Sequence, residues 1–246
     1  MSMTWIIARR EVIAYARQRR TLIAMVILAA ILASAGRAVV LLSPLVRMAL
    51  ITRRDAAIHL SGHHDLAQAA LVWIGMLPVL FSAQQAAIAI AAERERRSLT
   101  ALLVSPVPVG AILRGKLIGS LSPGLLMLVV AYSVYLTSIA ASTRDVASWL
   151  PPAVVVAVFA LMLATSALMN AVALLISAYS PTVSSASITA TFVLLPASFG
   201  VAALSVKVSD FGAAPIAGMA CAACLLTGLV LAAASRIVQR GSLLTV

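Results

Sequence analysis

The densest group of charged side chains lies between two apolar stretches. Residues 93–97 read Glu-Arg-Glu-Arg-Arg, although charged residues make up only 10% of the chain. Carboxylates and guanidinium groups form ion pairs and charge-assisted hydrogen bonds, and each would cost roughly 2.5–3.5 kcal/mol inside hydrocarbon. The cluster must therefore lie in a cytoplasmic loop or a short helix at the membrane interface.

An apolar turn follows this cluster. A helix of about two turns over Arg97–Val104 would place Leu99, Leu102 and Leu103 on one face, and such anchors suit docking of a helix into a groove. A surface helix that merely joins two spans is the alternative. The chain lacks the GxxxxGK[ST] phosphate loop, so any energy from ATP must come from a partner. We call residues 93–106 the docking loop.

Two other groups have the spacing of metal or redox sites. His59, His63 and His64 are all the histidines of the chain, and an i, i+4 pair suits zinc or copper. Neighbouring Arg residues would repel an ion, so we predict a solvated interfacial loop without a metal. The Cys-x-x-Cys pair at 221 and 224 lies among Ala and Gly in an apolar stretch, which is typical of helix packing.

The composition excludes an ordinary soluble domain. Hydrophobic residues make up 63% of the 246 residues, against about 45–50% in soluble domains, and the mean hydropathy is +1.09. A span needs about 20 apolar residues. The sequence therefore predicts an all-α polytopic membrane protein, one transmembrane domain over 1–246, with spans at 21–42, 67–92, 113–140, 151–178, 186–205 and 213–234.

The basic residues predict the orientation. If both termini are cytoplasmic, twelve of the 18 Lys and Arg residues lie inside and six lie outside, as the positive-inside rule requires. The net charge of +11 is then explained by orientation and by contact with anionic lipid, and no nucleic-acid partner is expected. Residues 4–19 are predicted to form a helix on the membrane surface, with interface residues Trp5, Arg9, Arg10 and Arg17. A basic tail that only sets topology is the alternative.

The order of these features resembles the type-2 ABC exporter permeases (ABC-2 type). The shared features are an N-terminal elbow helix, six spans, and, after span 2, an acidic–basic–acidic cluster, Leu-x-x-Leu-Leu, Ser-Pro and then Gly115-Lys116. The resemblance implies that the docking loop carries a coupling helix that binds a separate ATPase. The implied docking residues are Glu93, Arg94, Glu95, Arg96, Arg97, Leu99, Leu102, Leu103, Ser105 and Pro106.

The resemblance also implies the assembly. The expected complex is a permease homodimer with two ATPase chains in a bacterial inner membrane, with an accessory periplasmic protein as a further partner. No cofactor is expected on this chain, which is not itself an enzyme; ATP and magnesium would bind the ATPase. The substrate path would run along the dimer interface between spans 2 and 5, past Gln84, Gln85, Phe192 and Phe199, and we expect Pro78 and Pro196 to interrupt those spans and let them bend.

Other readings remain open. Polar side chains within the spans, such as Ser166 and Asn170, either face a pathway or form hydrogen bonds between helices. A membrane scaffold that recruits an enzyme is one alternative function, and a carrier that works without nucleotide is another. No span contains a pair of carboxylates or a basic residue near its middle, which argues against a proton- or sodium-coupled carrier.

Overall fold

The computed structural model describes residues 3–17, 23–24, 26–28, 30–31, 33–34, 63–96, 108–141, 150–209 and 212–239. All regular structure within these segments is helical. We number the helices α1 (Met3–Arg17), α2 (His63–Ala89), α3 (Ala91–Glu95), α4 (Val109–Ala140), α5 (Pro152–Tyr179), α6 (Val183–Ser209) and α7 (Ala213–Gln239).

Five helical segments in the described part are long and apolar enough to cross a membrane. They are Ala67–Glu95, Gly110–Ala140, Pro152–Tyr179, Val183–Leu204 and Ala213–Arg236, and they coincide with predicted spans 2 to 6. Span 1, predicted at 21–42, lies mostly outside the described residues, and those of its residues that are described are helical. A helix is present at α1, where the sequence predicted one; its place on the membrane surface stays a prediction.

Helix α5 forms the centre of the bundle. It packs most extensively against α7 and α2, while α2 also contacts α4 and α6. The largest fully buried side chains include Leu71 on α2, Tyr135 on α4 and Leu161 on α5, so the apolar core lies where these three helices meet. In contrast, only 22% of the most apolar part of α6 and of α7 is buried within the chain, so both helices are largely peripheral.

The crossing of α2 and α4 depends on a glycine. A Cβ atom added at Gly124 would lie 2.5 Å from Cβ of Ser82 and 3.1 Å from the carbonyl oxygen of Pro78. Any larger residue would push the two helices apart, since small residues set the closest approach of helices in membranes.

The prediction that prolines interrupt two spans is wrong. Helix α2 continues through Pro78 and α6 through Pro196. A proline removes one backbone hydrogen bond, and neighbouring helices, Ser and Thr side chains and small adjustments of the helix accommodate that loss within a membrane bundle. A short turn that contains Pro181 joins α5, which ends at Tyr179, to α6, which begins at Val183.

Candidate functional site

A buried lysine joins three elements at one end of the bundle. Lys116 lies on α4 and is only 4% exposed. Its Nζ lies 2.9 Å from Oε1 of Glu93 on α3 and 3.5 Å from Oε1 of Glu11 on α1. The same ammonium donates a hydrogen bond of 3.2 Å to the carbonyl oxygen of Ala89 at the end of α2. An ammonium has three donors, and here they face oxygens from three different helices.

These oxygens explain how Lys116 can be buried. An ammonium without partners would cost several kcal/mol to remove from water. The two carboxylates are each about a quarter exposed, 26% for Glu93 and 28% for Glu11, so they stay hydrated while they neutralise the lysine. Lys116, Glu93 and Glu11 therefore form an ion cluster at the surface between protein and water, and not deep in the bundle.

Two glycines on α4 bring Glu11 to this lysine. A Cβ at Gly115 would lie 2.7 Å from Cγ2 of Ile7, and a Cβ at Gly119 would lie 2.5 Å from Cβ of Glu11. The i, i+4 spacing places both glycines on one face of α4, and α1 lies directly against that face. The sequence Gly115-Lys116 thus supplies both the space for α1 and the charge that holds it.

Arg94 binds the end of α5. Its Nη1 donates to the carbonyl oxygen of Ser180 at 2.8 Å, and its Nη2 donates to the carbonyl oxygen of Ala178 at 2.7 Å. The last carbonyl groups of a helix have no partner within the helix, and they carry the negative end of its dipole. A guanidinium at this position therefore satisfies both the hydrogen bonding and the charge of the helix end.

Glu95 binds the start of α6, and here a carboxylate accepts a bond from the helix, whereas Arg94 donates bonds to the end of α5. Its Oε1 accepts a hydrogen bond of 2.6 Å from the backbone N–H of Val183, the first residue of α6. The first N–H groups of a helix lack partners within the helix, and a carboxylate there is stabilising. Glu95 on α3 therefore caps the start of α6. Its carboxylate accepts a backbone N–H bond, as the side chain of an N-terminal Asp does in many helices.

A serine on α5 fixes the point where α2 gives way to α3. The Oγ of Ser177 accepts hydrogen bonds from the N–H groups of Ile90 at 3.1 Å and Ala91 at 3.0 Å. Ser177 is fully buried. The backbone just before the docking loop is thus held against α5 by Ser177, and the loop itself is held there by Arg94.

A second polar group lies in the middle of the bundle. Ser82 and Ser166 share a hydrogen bond between their hydroxyl oxygens at 2.8 Å, and Nδ2 of Asn170 donates to Oγ of Ser82 at 2.8 Å and to the carbonyl oxygen of Ser166 at 2.7 Å. All three side chains are buried. These bonds cross from α2 to α5, so Ser166 and Asn170 do join helices, which is one of the two roles that the sequence left open.

Two of the four residues predicted for a substrate path, Gln84 and Phe199, lie where α2 meets α6. Nε2 of Gln84 donates to Oγ1 of Thr191 at 2.7 Å, and the ring centroids of Trp73 and Phe199 are 5.5 Å apart. Phe192 is 77% exposed, and Gln85 lies next to Gln84, half-buried. Gln84 on α2 therefore contacts α6, and Phe199 on α6 contacts α2. Phe192 lies on the outer surface of α6.

The remaining predicted residues are distributed as follows. Trp5, Arg9 and Arg10 are exposed on α1, and Arg17 is the last residue of that helix. Within the docking loop the structure describes Glu93, Arg94, Glu95 and Arg96, whereas Arg97, Leu99, Leu102, Leu103, Ser105 and Pro106 lie outside the described residues. His59 also lies outside them, and His63 and His64 begin α2.

The sequence did not identify Glu11 or Ser177 as site residues. Lys116 belongs to the Gly115-Lys116 motif, but nothing in the neighbouring sequence indicated that its side chain would be buried. Its partner Glu11 is 105 positions earlier in the chain, and no short spacing links them. The Gly115 and Gly119 pair was the one available sign that another helix lies close to this part of α4.

The match to known families follows this geometry. Residues 62–230, from the start of α2 to most of α7, match the family described as ABC-2 family transporter protein. No similar sequence is found among curated proteins. The match covers more than half of the chain, and the chain therefore belongs to the ABC-2 transporter family, as a multi-pass membrane protein.

Proposed function

We propose that the chain is the transmembrane permease subunit of an ATP-driven exporter whose ATPase is a separate protein. The observation that carries this proposal is the family match over residues 62–230. The missing phosphate loop agrees with it, since such a permease depends on a partner for ATP and magnesium binding. Two ATPase chains on a homodimer of this chain form the proposed complex.

The proposed site of ATPase binding is the docking loop, residues 93–106. Its first residues are held by α4, α5 and α6 through Glu93, Arg94 and Glu95. The chain re-enters the bundle at Pro108, which precedes the first residue of α4. The described residues on either side of 97–107 therefore lie at the same end of the bundle, and we propose that the ATPase binds there.

The positions of α1 and of the end of α7 support the proposed orientation. Glu11 on α1 reaches Lys116, and a Cβ at Gly110 would lie 3.9 Å from Cβ of Ser235 near the end of α7. Helix α1, the described start of the docking loop and the end of α7 therefore lie at one end of the bundle. Combined with the positive-inside rule, this supports a cytoplasmic location for both termini. The membrane that we propose is the bacterial inner membrane.

We predict that this orientation can be read from thiol labelling. In a variant with Cys221 and Cys224 replaced by Ser, a cysteine at Ser61 is expected to react with a membrane-impermeant maleimide in intact cells. A cysteine at Thr245 is expected to react only after the cells are opened. Labelling of position 245 in intact cells would contradict the orientation.

We further propose that substrate moves along the surface where α2 meets α6. Phe192 is largely exposed within a single chain, and Gln84 and the Trp73–Phe199 pair both lie in the contact between α2 and α6. The proposed homodimer would place two such surfaces opposite each other. Gln85 is included in the proposed path because it is next to Gln84. We propose that a periplasmic accessory protein acts at the periplasmic end of this path.

Purification of the complex tests the proposed function. The chain, extracted from its native membrane in mild detergent, is expected to carry an ATPase with a phosphate loop in a one-to-one ratio, and the complex is expected to hydrolyse ATP. The unrelated membrane protein used as control should carry no such subunit. A monodisperse preparation of this chain that contains no ATPase would overturn the proposal in favour of a scaffold or a carrier.

A further inference from the structure

Three polar side chains form a hydrogen-bonded group where α2 meets α6. Nε2 of Gln84 donates to Oγ1 of Thr191 at 2.7 Å, and Oγ of Ser187 donates to Oε1 of Gln84 at 3.2 Å. A side-chain amide has two N–H donors and an oxygen with two lone pairs. Among the described residues, these bonds use one donor and one lone pair of Gln84, which is only half-buried. Gln84 can therefore still donate one hydrogen bond to a ligand and accept one from it.

Aromatic side chains lie further along the same contact. The rings of Trp73 on α2 and Phe199 on α6 are 5.5 Å apart, and each side chain is nearly half exposed. Leu77, about one turn from Trp73, and Leu195, about one turn from Phe199, are exposed as well. Exposed rings and aliphatic side chains offer dispersion contacts to an apolar body. This part of the contact therefore suits the apolar portion of a ligand.

The polar group and the aromatic pair are well separated along the helices. Gln84 and Trp73 are eleven residues apart on α2, which is about 16 Å at 1.5 Å per residue. Thr191 and Phe199 are eight residues apart on α6, which is about 12 Å. Gln84 lies five residues before Ala89, where α2 ends. The polar group is therefore the part of the contact nearer to the docking loop, and the aromatic pair lies deeper in the bundle.

Neither helix offers a partner for a charged group along this contact. Residues 67–92 and 183–206 contain no Asp, Glu, Lys, Arg or His, and a charge within a membrane bundle is strongly unfavourable unless it is paired. A phosphate, carboxylate or ammonium group that passed between the two helices would lose its hydration without meeting an opposite charge. The contact therefore favours a molecule that is uncharged along the part that lies against α2 and α6.

We propose that the α2–α6 contact binds an uncharged amphiphile, and that this is the class of molecule that the exporter carries. Its hydroxyl or amide head binds Gln84, and its apolar body extends towards Trp73 and Phe199. A surface that only meets lipid chains would not require an accessible amide, since polar side chains in spans tend to face a cavity or the bundle interior. This inference rests on the proposed function and deepens it, because it names the class of substrate.

The fluorescence of Trp73 tests the proposed site. The chain is placed in lipid nanodiscs with Trp5→Phe and Trp149→Phe, so that Trp73 is the one tryptophan left of three. Three probes share a dodecyl chain with a bromine at its far end, which quenches an indole that it touches. Their heads are a glycerol ether, which is uncharged, a phosphate and a trimethylammonium. Bromododecane, which has no head, is the fourth probe.

The glycerol ether is expected to quench Trp73 in a saturable way, and to bind at least about tenfold more tightly than the two charged probes, because their heads find no partner. Bromododecane is expected to quench in proportion to its concentration, as a molecule dissolved in the bilayer does. A glycerol ether with the bromine beside the head is expected to lose most of the quenching, because its head lies at Gln84 and not at Trp73.

Three results would contradict the proposed site. A charged probe that binds as tightly as the glycerol ether would overturn the uncharged class. Quenching by the glycerol ether that rises without saturation, as with bromododecane, would show a surface that meets only lipid chains. Absence of quenching by all four probes would show that the surface is closed, as by a second copy of the chain.

Two threonines provide a matched pair of variants. Thr191→Val removes the hydroxyl that accepts a bond from Gln84, whereas Thr137→Val removes an exposed hydroxyl of α4 that bonds to the backbone of its own helix. Thr191→Val is expected to weaken binding of the glycerol ether about three- to tenfold, as loss of a positioned hydrogen bond does, and Gln84→Leu to abolish saturation. Thr137→Val is expected to bind normally.

Bromododecane verifies the variants, because its quenching requires only that Trp73 remains exposed on a folded chain. If Thr191→Val and Gln84→Leu keep this quenching and still bind the glycerol ether like the wild type, the polar group does not bind the head. The same conclusion follows if Thr137→Val weakens binding as much as Thr191→Val.

The substrate class and the proposed function fail in different ways. Binding to the nanodiscs is measured without the ATPase, and in the complex the glycerol ether is expected to stimulate ATP hydrolysis. A complex that hydrolyses ATP but is not stimulated by the bound glycerol ether overturns the substrate class alone. A chain that recruits no ATPase overturns the proposed function, and with it the assignment of this contact to transport.

Discussion

Replacing Leu102 and Leu103 by Asp is expected to abolish co-purification of the ATPase. In the proposed docking helix these side chains are apolar anchors, and burying a Leu side chain contributes about 1.5–3 kcal/mol. Loss of two anchors corresponds to an affinity at least 100-fold weaker, at about 1.4 kcal/mol for each factor of ten. Two carboxylates facing an apolar groove would weaken binding further. The measurement is the ATPase-to-permease ratio after affinity purification.

Ala101→Asp is the matched control for this change. It adds a carboxylate to the same loop on the side opposite the Leu face of the predicted helix, and co-purification is expected to persist. Membrane insertion of each variant is verified from a monodisperse elution profile in detergent. Unchanged co-purification of the Leu102→Asp, Leu103→Asp variant would refute the docking assignment, and equal loss with Ala101→Asp would refute the predicted helix face.

Gly124→Val is expected to destabilise the bundle strongly. The first added carbon would lie 2.5 Å from Cβ of Ser82 and 3.1 Å from the carbonyl oxygen of Pro78, and neither is the flexible end of a side chain. Overpacking of this kind typically costs about 1–3 kcal/mol, and displacement of Ser82 would also disturb its hydrogen bonds with Ser166 and Asn170. The thermal transition of the protein in detergent measures the effect.

Gly228→Val provides the comparison. Gly228 also lies within a spanning helix, and nothing lies within 4 Å of the position where its Cβ would be. Both variants make the same change in intrinsic helix preference, so the difference between their transition temperatures reports packing at the α2–α4 crossing. Equal transition temperatures would show that α2 and α4 do not approach as closely as described.

The spanning helices were predictable because hydrocarbon imposes a simple requirement. A span needs about 20 apolar residues with all backbone groups bonded internally, and the described spans therefore begin and end close to the predicted ones. The prediction of 67–92 fell short of Glu95. The charged residues 93–95 were predicted to lie in a loop or in a short interfacial helix, and they belong to the short helix α3, where they bind neighbouring helices.

The candidate site was predictable only in part. The charges at 93–96 and the Gly115-Lys116 pair lie together at one end of the bundle, and the sequence indicated an end for them because charged groups avoid hydrocarbon. The partners of these charges depend on which helices pack together, and no local pattern encodes that. Ser177 in the last turn of α5 and Ser180 just after it, for example, lie in a stretch with no charged residue. They nevertheless supply contacts for the start of α3 and for Arg94. The error over Pro78 and Pro196 has a related cause, because the tolerance of a helix for proline depends on its neighbours.

The pairing of Glu11 with Lys116 also has a consequence for biosynthesis. Helix α1 leaves the ribosome before α4 does, and the lysine that holds it is made 105 residues after Glu11. At about 5–20 residues per second, roughly 5–20 s pass before Lys116 exists. During this time Glu11 must be hydrated or in contact with lipid headgroups, and the face of α1 that later meets Gly115 and Gly119 must be covered by something else. The final position of α1 is therefore set only after synthesis has reached α4.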